Sequence, residues 1–198
     1  KITLVDAQAE PDGAFPTTPF PNPEENHTLD MAHDIALKNN LNWVFASDPD
    51  ADRLQVSART VSGSFKKLSG NEMGILLAYF SIRRAQKLGI RPLIASSIVS
   101  SRMTKAMCNK LGAYYVDALT GFSNIVAASR KAESSTGHQF VFAYEEAIGF
   151  LVGNVVLDKD GINAGARFME IVCYLKQSNK TVWEFLDELM LEYGLFVT

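Results

Sequence analysis

From about residue 70 onward, helical and extended hydrophobic patterns take turns along the chain, and this alternation restricts the possible folds more than any other feature. The periodicity predicts a helix from Glu72 to about Leu88, a strand near Leu93 to Ser96 and a helix from Ser101 to Leu111. A strand at Tyr114 to Ala118, a helix from Phe122 to about Glu133 and a strand at Phe140 to Ala143 continue it. Strands joined through helices return to the same sheet by crossovers, so the pattern predicts an α/β fold whose sheet is mainly parallel. Two further helices, about Gly161 to Lys176 and Thr181 to Glu192, complete it.

The first 68 residues are organised differently. Lys1 to Val5 reads as a strand, and five of the seven prolines then fall between Pro11 and Pro23, which demands an extended loop. Asn22, Pro23, Glu24 and Glu25 carry the signals of a helix start, so a helix is expected to run to about Asn39 with His27 and His33 solvated. Trp43 to Ala46 reads as a buried strand. Leu54, Val56 and Ala58 alternate with polar residues and turn through Ser62 to Ser64 into a hairpin with Phe65 to Leu68. The break in pattern near Leu68 to Asn71 divides the chain into an incomplete segment, 1–68, and a nearly complete α/β unit, 69–198.

Composition removes several function classes. With 19 basic and 22 acidic side chains the formal charge is −3, and no basic patch with interleaved aromatics offers a track for nucleic acid. The apolar run Ile75 to Phe80 falls far short of the roughly 20 residues that span a bilayer, so no membrane association is expected. Cys108 and Cys173 lie in apolar, helix-like settings and suit a reducing cytoplasm. Nothing in the pattern bears on oligomeric state.

Chemistry concentrates in Ser47-Asp48-Pro49-Asp50-Ala51-Asp52-Arg53, where three carboxylates occupy alternate positions directly after a hydrophobic strand. Crowded carboxylates repel unless a hard divalent cation neutralises them, and Mg²⁺ commonly takes carboxylates together with phosphate oxygens. A calcium EF-hand is excluded, because Arg53 stands where its glycine must be and Arg59 where its bidentate glutamate must be. A phosphatase using Asp48 as nucleophile and a merely solvated acidic turn remain as alternatives.

Asp48-Pro49-Asp50-Ala51-Asp52-Arg53 resembles the metal-binding loop of the α-D-phosphohexomutase superfamily, in the form found in its phosphoglucomutase/phosphopentomutase branch. Ser69-Gly70-Asn71-Glu72 is similar to the opening of that family's third domain, Thr120-Gly121-Phe122 to its T-G-F loop, and Glu145-Glu146-Ala147-Ile148-Gly149 to its sugar-recognition loop. Asp158-Lys159-Asp160-Gly161 follows in the family's order, and the segment from Pro11 to Glu25 fits its second domain. The resemblance implies mixed sheets with flanking helices: the end of domain 2, then domain 3 and the start of the linker to domain 4.

It also implies a reversible phosphate shift on a sugar phosphate, through a phosphoserine and a sugar bisphosphate intermediate. Asp48, Asp50 and Asp52 would hold Mg²⁺, with Arg53 close to the transferring group. Thr120, Gly121, Phe122, Glu145, Glu146 and Lys159 would bind substrate, with Glu146 equally readable as a salt-bridge partner. Ser123 stands where many relatives of this branch carry lysine. The serine loop and the fourth-domain phosphate clamp are not among these motifs, so the chain is expected to be an internal piece without turnover of its own. A non-catalytic sugar-phosphate binding module is the alternative.

Overall fold

The computed structural model describes residues 2–197. Its elements are helices α1 (Asp30–Lys38), α2 (Gly70–Lys87), α3 (Met103–Leu111), α4 (Phe122–Thr136), α5 (Gly161–Gln177) and α6 (Val182–Tyr193), with strands β1 (Trp43–Ser47), β2 (Leu54–Arg59), β3 (Phe65–Lys67), β4 (Pro92–Ser97), β5 (Tyr114–Ala118), β6 (Gln139–Glu145) and β7 (Gly149–Val152). They form two sheets, an antiparallel β1-β2-β3 and a mixed β5-β4-β6-β7.

In the larger sheet β4 is central and runs parallel to both β5 and β6, as alternating strands and helices require. α4 covers one face, packing Phe122 and Ile125 on Leu93, Ala95 and Ala143. The opposite face buries Ile94, Phe142, Tyr144 and Phe150 in a core shared with α2, α5 and α6. A register shift between Leu93 and Ile94 lets Phe140 and Ala143 of β6 both reach the α4 side. β7, antiparallel to β6, is a strand that periodicity does not reveal; four residues after a tight turn are too short to show a period of two.

α2 starts with a reciprocal capping box, in which Ser69 Oγ accepts from the Glu72 N–H at 3.1 Å and the Glu72 carboxylate from the Ser69 N–H at 2.7 Å. Two of its glycines are required by packing. A Cβ on Gly70 would overlap the Glu146 carbonyl, and one on Gly74 would overlap the Tyr144 ring.

The smaller sheet departs from expectation on one face. β2 is buried on both sides except at Arg59, because the sheet lies between α1 and α5; Trp43 and Phe45 pack edgewise on Phe168 of α5. Gln55 is therefore buried despite its polarity, and its amide donates to the Val56 and Leu68 carbonyls at 3.0 and 2.7 Å.

Four sequence expectations fail here. Lys1 lies outside the described residues, and Ile2 to Val5 form no strand and pair with no other strand among the described residues. No helix begins at Pro23: Asn22 Oδ1 accepts from the Glu24 N–H in a local turn, His27 adopts φ 68°, and helical geometry starts only at Asp30. His33 is half-buried and stacked on Phe65 with ring centroids 5.0 Å apart, and loss of water pushes its pKa below the ordinary histidine value. Cys108 is buried as expected, whereas Cys173 is exposed on the outer side of α5.

Candidate functional site

The acidic loop leaves β1 at Ser47 and turns back into β2 at Leu54. The turn forces Ala51 into the left-handed region at φ 58°, where an L side chain costs roughly 1–2 kcal/mol. One carboxylate oxygen from each of Asp48, Asp50 and Asp52 comes within 4.8 Å of the others. Asp48 is nearly buried, Asp52 half-buried and Asp50 exposed. An all-oxygen set of this kind fits a hard divalent cation by the chemistry of its donors.

Arg53 braces the loop from inside. Its backbone N–H donates to Asp48 Oδ1 at 3.0 Å, its Nε to Asp48 Oδ2 at 2.8 Å, and its Nη1 lies 3.5 Å from Glu24 Oε2. Burial alone would push the Asp48 carboxyl up; the side-chain and backbone hydrogen bonds from Arg53 outweigh it and hold the pKa below the ordinary carboxylate value. The bond to Asp48 in turn raises the Arg53 guanidinium.

The glutamate pair lies at the carboxyl end of β6, beside the carboxyl end of β4. The chain leaves β4 for β5 on one side and returns to β6 on the other, the crevice where open α/β sheets receive ligands. Glu145 Oε1 accepts the Gly121 N–H at 2.5 Å, tying the hairpin to the Thr120–Phe122 loop, where Gly121 has φ 106°. Glu146 turns inward, and its Oε2 accepts from Ser97 Oγ at 2.9 Å and Ser100 Oγ at 3.3 Å. Thr120 is exposed, and its carbonyl accepts from Asn124 Nδ2 at 2.8 Å. Phe122 is buried in the α4 core.

Backbone contacts bring these pieces together. Arg53 forms an antiparallel bridge with Gly149, and the Leu54 N–H donates to the Ile148 carbonyl at 3.2 Å, so the acidic loop joins the glutamate hairpin edge to edge. The start of α5 presses on the same loop: the Gly161 N–H donates to the Ala51 carbonyl at 3.2 Å, and a Cβ there would overlap the Arg53 carbonyl. Lys159 is the common node. Its Nζ lies 3.0 Å from Asp52 Oδ2, 3.4 Å from Asp158 Oδ1 and 5.4 Å from the Phe122 ring centroid, while its stem runs over Gly149, where a Cβ would come within 2.8 Å of Cδ. Burial works against the Lys159 charge, and Asp52 and Asp158 overcome it, leaving the pKa above the ordinary lysine value.

Direct contacts thus link the acidic loop, Phe122 and Lys159 on one side and Gly121 with Glu145 on the other, with the Arg53–Gly149 bridge joining loop to hairpin. Glu146 is held by serine hydroxyls, and among the described residues it forms no salt bridge. Sequence reasoning gave no site role to Ser97, Ser100 or Glu24, and met Gly161 only as the last residue of the Asp158–Gly161 motif. The serine-rich end of β4 was the visible signal for the first two; Glu24 lies 29 residues from Arg53 and left none. Two surface recesses of about 190 and 510 Å³, one near Arg130 and Asn154 and one near His33 and Phe65, are lined by none of the site residues.

The model of phosphoglucomutase/phosphomannomutase α/β/α domain III matches residues 69–193, and that of domain II matches residues 1–63. The chain belongs to the phosphoglucomutase/phosphomannomutase family, within the phosphohexomutase superfamily. It is 36% identical over 200 residues to the phosphoribomutase of Saccharomyces cerevisiae, covering 97% of this chain and 32% of that one. To a phosphoglucomutase of Staphylococcus aureus it is 34% identical over 195 residues, covering 98% of this chain and 35% of that one. Among solved structures, a phosphoglucomutase/phosphomannomutase family protein from Burkholderia thailandensis shares the fold with a TM-score of 0.68 at 21% identity, over 90% of this chain and 35% of that one. The chain spans about a third of the length of the curated relatives it matches. Among the described residues, no helix is long and apolar enough to cross a membrane.

Proposed function

We propose that this chain is the central portion of a phosphosugar mutase, with residues 1–68 closing domain 2 and residues 69–198 forming domain 3 and the start of the linker to domain 4. The observation that carries this proposal is the contact of the acidic loop with the glutamate hairpin through the Arg53–Gly149 bridge and with the approach to α5 through the Lys159–Asp52 ion pair. A group that steadies phosphate charge and a group that grips a carbohydrate then share one cleft.

In this proposal Asp48, Asp50 and Asp52 hold Mg²⁺, which when bound neutralises charge on the oxygens of a transferring phosphoryl group. Asp48 spends both oxygens on Arg53, which suits a fixed anionic ligand better than an attacking nucleophile and disfavours a phosphatase. Arg53 Nη1, 3.5 Å from Glu24 Oε2, would be the group that meets a phosphate. Glu145 has one oxygen free of Gly121 to accept from a sugar hydroxyl. Glu146 acts from behind by fixing the hairpin, Thr120 to Phe122 shape the opposite wall, and Lys159 contributes its ammonium to a substrate phosphate.

The substrate is a sugar phosphate and the intermediate a sugar bisphosphate. The relatives act on both ribose and glucose phosphates by name, and hexose and pentose are equally compatible with the cleft. The two unpaired thiols fit the reducing cytoplasm. The test is titration of glucose 1,6-bisphosphate into the chain with Mg²⁺ present, followed by NMR. Asp50→Asn and Glu145→Gln are each expected to weaken binding about tenfold, in line with the loss of one charged contact. Binding unchanged by both substitutions contradicts the proposal. The chain alone is expected to leave glucose 1-phosphate and ribose 1-phosphate unconverted.

A further inference from the structure

We infer that Lys159 is the protein's own competitor for the cation site: its ammonium and the divalent cation exchange places at Asp52, so that cation binding sets Lys159 free to meet an anion. The inference rests on the acidic loop being a cation site and adds to it a reciprocal coupling between cation and phosphate.

Three features of the site carry it. First, Lys159 Nζ lies 3.0 Å from Asp52 Oδ2, on a carboxylate whose other neighbours are Asp48 and Asp50. A divalent cation seated on the same carboxylate would repel an ammonium held there, and in a half-buried site water screens that repulsion only in part. Second, Lys159 has another place to go. Asp158 Oδ1 is already 3.4 Å from Nζ, so the ammonium keeps a carboxylate partner when it leaves Asp52. Third, the swing is confined to the tip of the side chain: the stem is laid along Gly149, where a Cβ would come within 2.8 Å of Cδ and 3.2 Å of Cγ, and the ammonium stays over the Phe122 ring. A released ammonium therefore remains in the cleft, beside the first turn of α5 and the Thr120–Phe122 loop. Because linkage is reciprocal, an anion that draws Lys159 from Asp52 tightens cation binding by the factor by which the cation tightens anion binding.

The test is Mn²⁺ titration of the 198-residue chain followed by EPR, comparing wild type with Lys159→Met, which keeps the length of the stem and removes the charge. Lys159→Met is expected to tighten Mn²⁺ binding roughly fivefold to tenfold. In an Asp52→Asn background the same change is expected to give less than about a twofold gain, because the shared carboxylate is gone. Unchanged or weaker binding in Lys159→Met, with native circular dichroism, overturns the inference. An equal gain in both backgrounds also overturns it, since that would be a long-range charge effect without exchange at Asp52. Lys159→Gln repeats the comparison if the methionine variant does not fold. Absence of Mn²⁺ binding in every variant refutes the cation site itself and the inference with it, whereas Mn²⁺ binding indifferent to Lys159 refutes the inference alone.

Discussion

The acidic loop and the glutamate hairpin, joined through the Arg53–Gly149 bridge, both carry carboxylates, but they are neutralised in opposite ways. Around Asp48 and Asp52 the partners are cations, Arg53 at 2.8 Å and Lys159 at 3.0 Å. Around Glu145 and Glu146 they are neutral donors: the Gly121 amide and the hydroxyls of Ser97 and Ser100. Charge set against charge is sensitive to any further ion, so the loop is suited to exchange its positive partners. Neutral hydrogen bonds fix direction with little response to ions, so the hairpin is suited to present a rigid acceptor to a neutral hydroxyl.

This contrast gives ranked expectations. The largest concerns Arg53→Met, which strands the nearly buried Asp48 carboxylate and is expected to cost about 2–3 kcal/mol in chemical unfolding. Glu146→Gln, on the hairpin, keeps an oxygen for the serine hydroxyls and is expected to cost about 1 kcal/mol or less. Equal losses in the two variants would erase the distinction between the regions.

Next comes the response to acid. The native pKa of Asp48 lies below its ordinary value of 3.8, so its contribution to stability is complete above that value. It is lost as pH falls through the native pKa. Acid unfolding of the wild type is therefore expected to steepen below about pH 4. Asp48→Asn should flatten that limb, and Glu146→Gln should leave it in place. The smallest effect is expected from Ala51→Gly, which relieves the φ of 58° and should raise stability by roughly 0.5–1 kcal/mol, measured as a higher denaturant midpoint.

The same two regions mark how far the sequence alone could be read. Local chemistry was legible: the crowding of Asp48, Asp50 and Asp52 and the strand–helix alternation both arise from residues close in the chain. What failed depended on distant partners. The segment Ile2 to Val5 has the composition of a strand but no pairing partner among the described residues, and Pro23 opens like a helix that the conformation of His27 then refuses. The alternation in β2 suggested one wet face, yet α5, arriving more than a hundred residues later, covers it. Within the site, the second contact of Arg53 and the role of Glu146 as an anchor depend on Glu24, Ser97 and Ser100, none of which is adjacent in the chain. Gly161 and Gly70 were visible as glycines, but only the backbone carbonyls pressed against them explain why no side chain fits.

The claim that one cleft unites the acidic loop with the glutamate hairpin is tested most directly by paramagnetic broadening. Mn²⁺ added in small amounts to the ¹⁵N-labelled chain should first broaden the amide signals of Ala51, Arg53, Gly149 and Gly161, with Gly121 next and Asn154 later. Early loss confined to residues 48–53, with Gly149 and Gly161 still sharp, would contradict it.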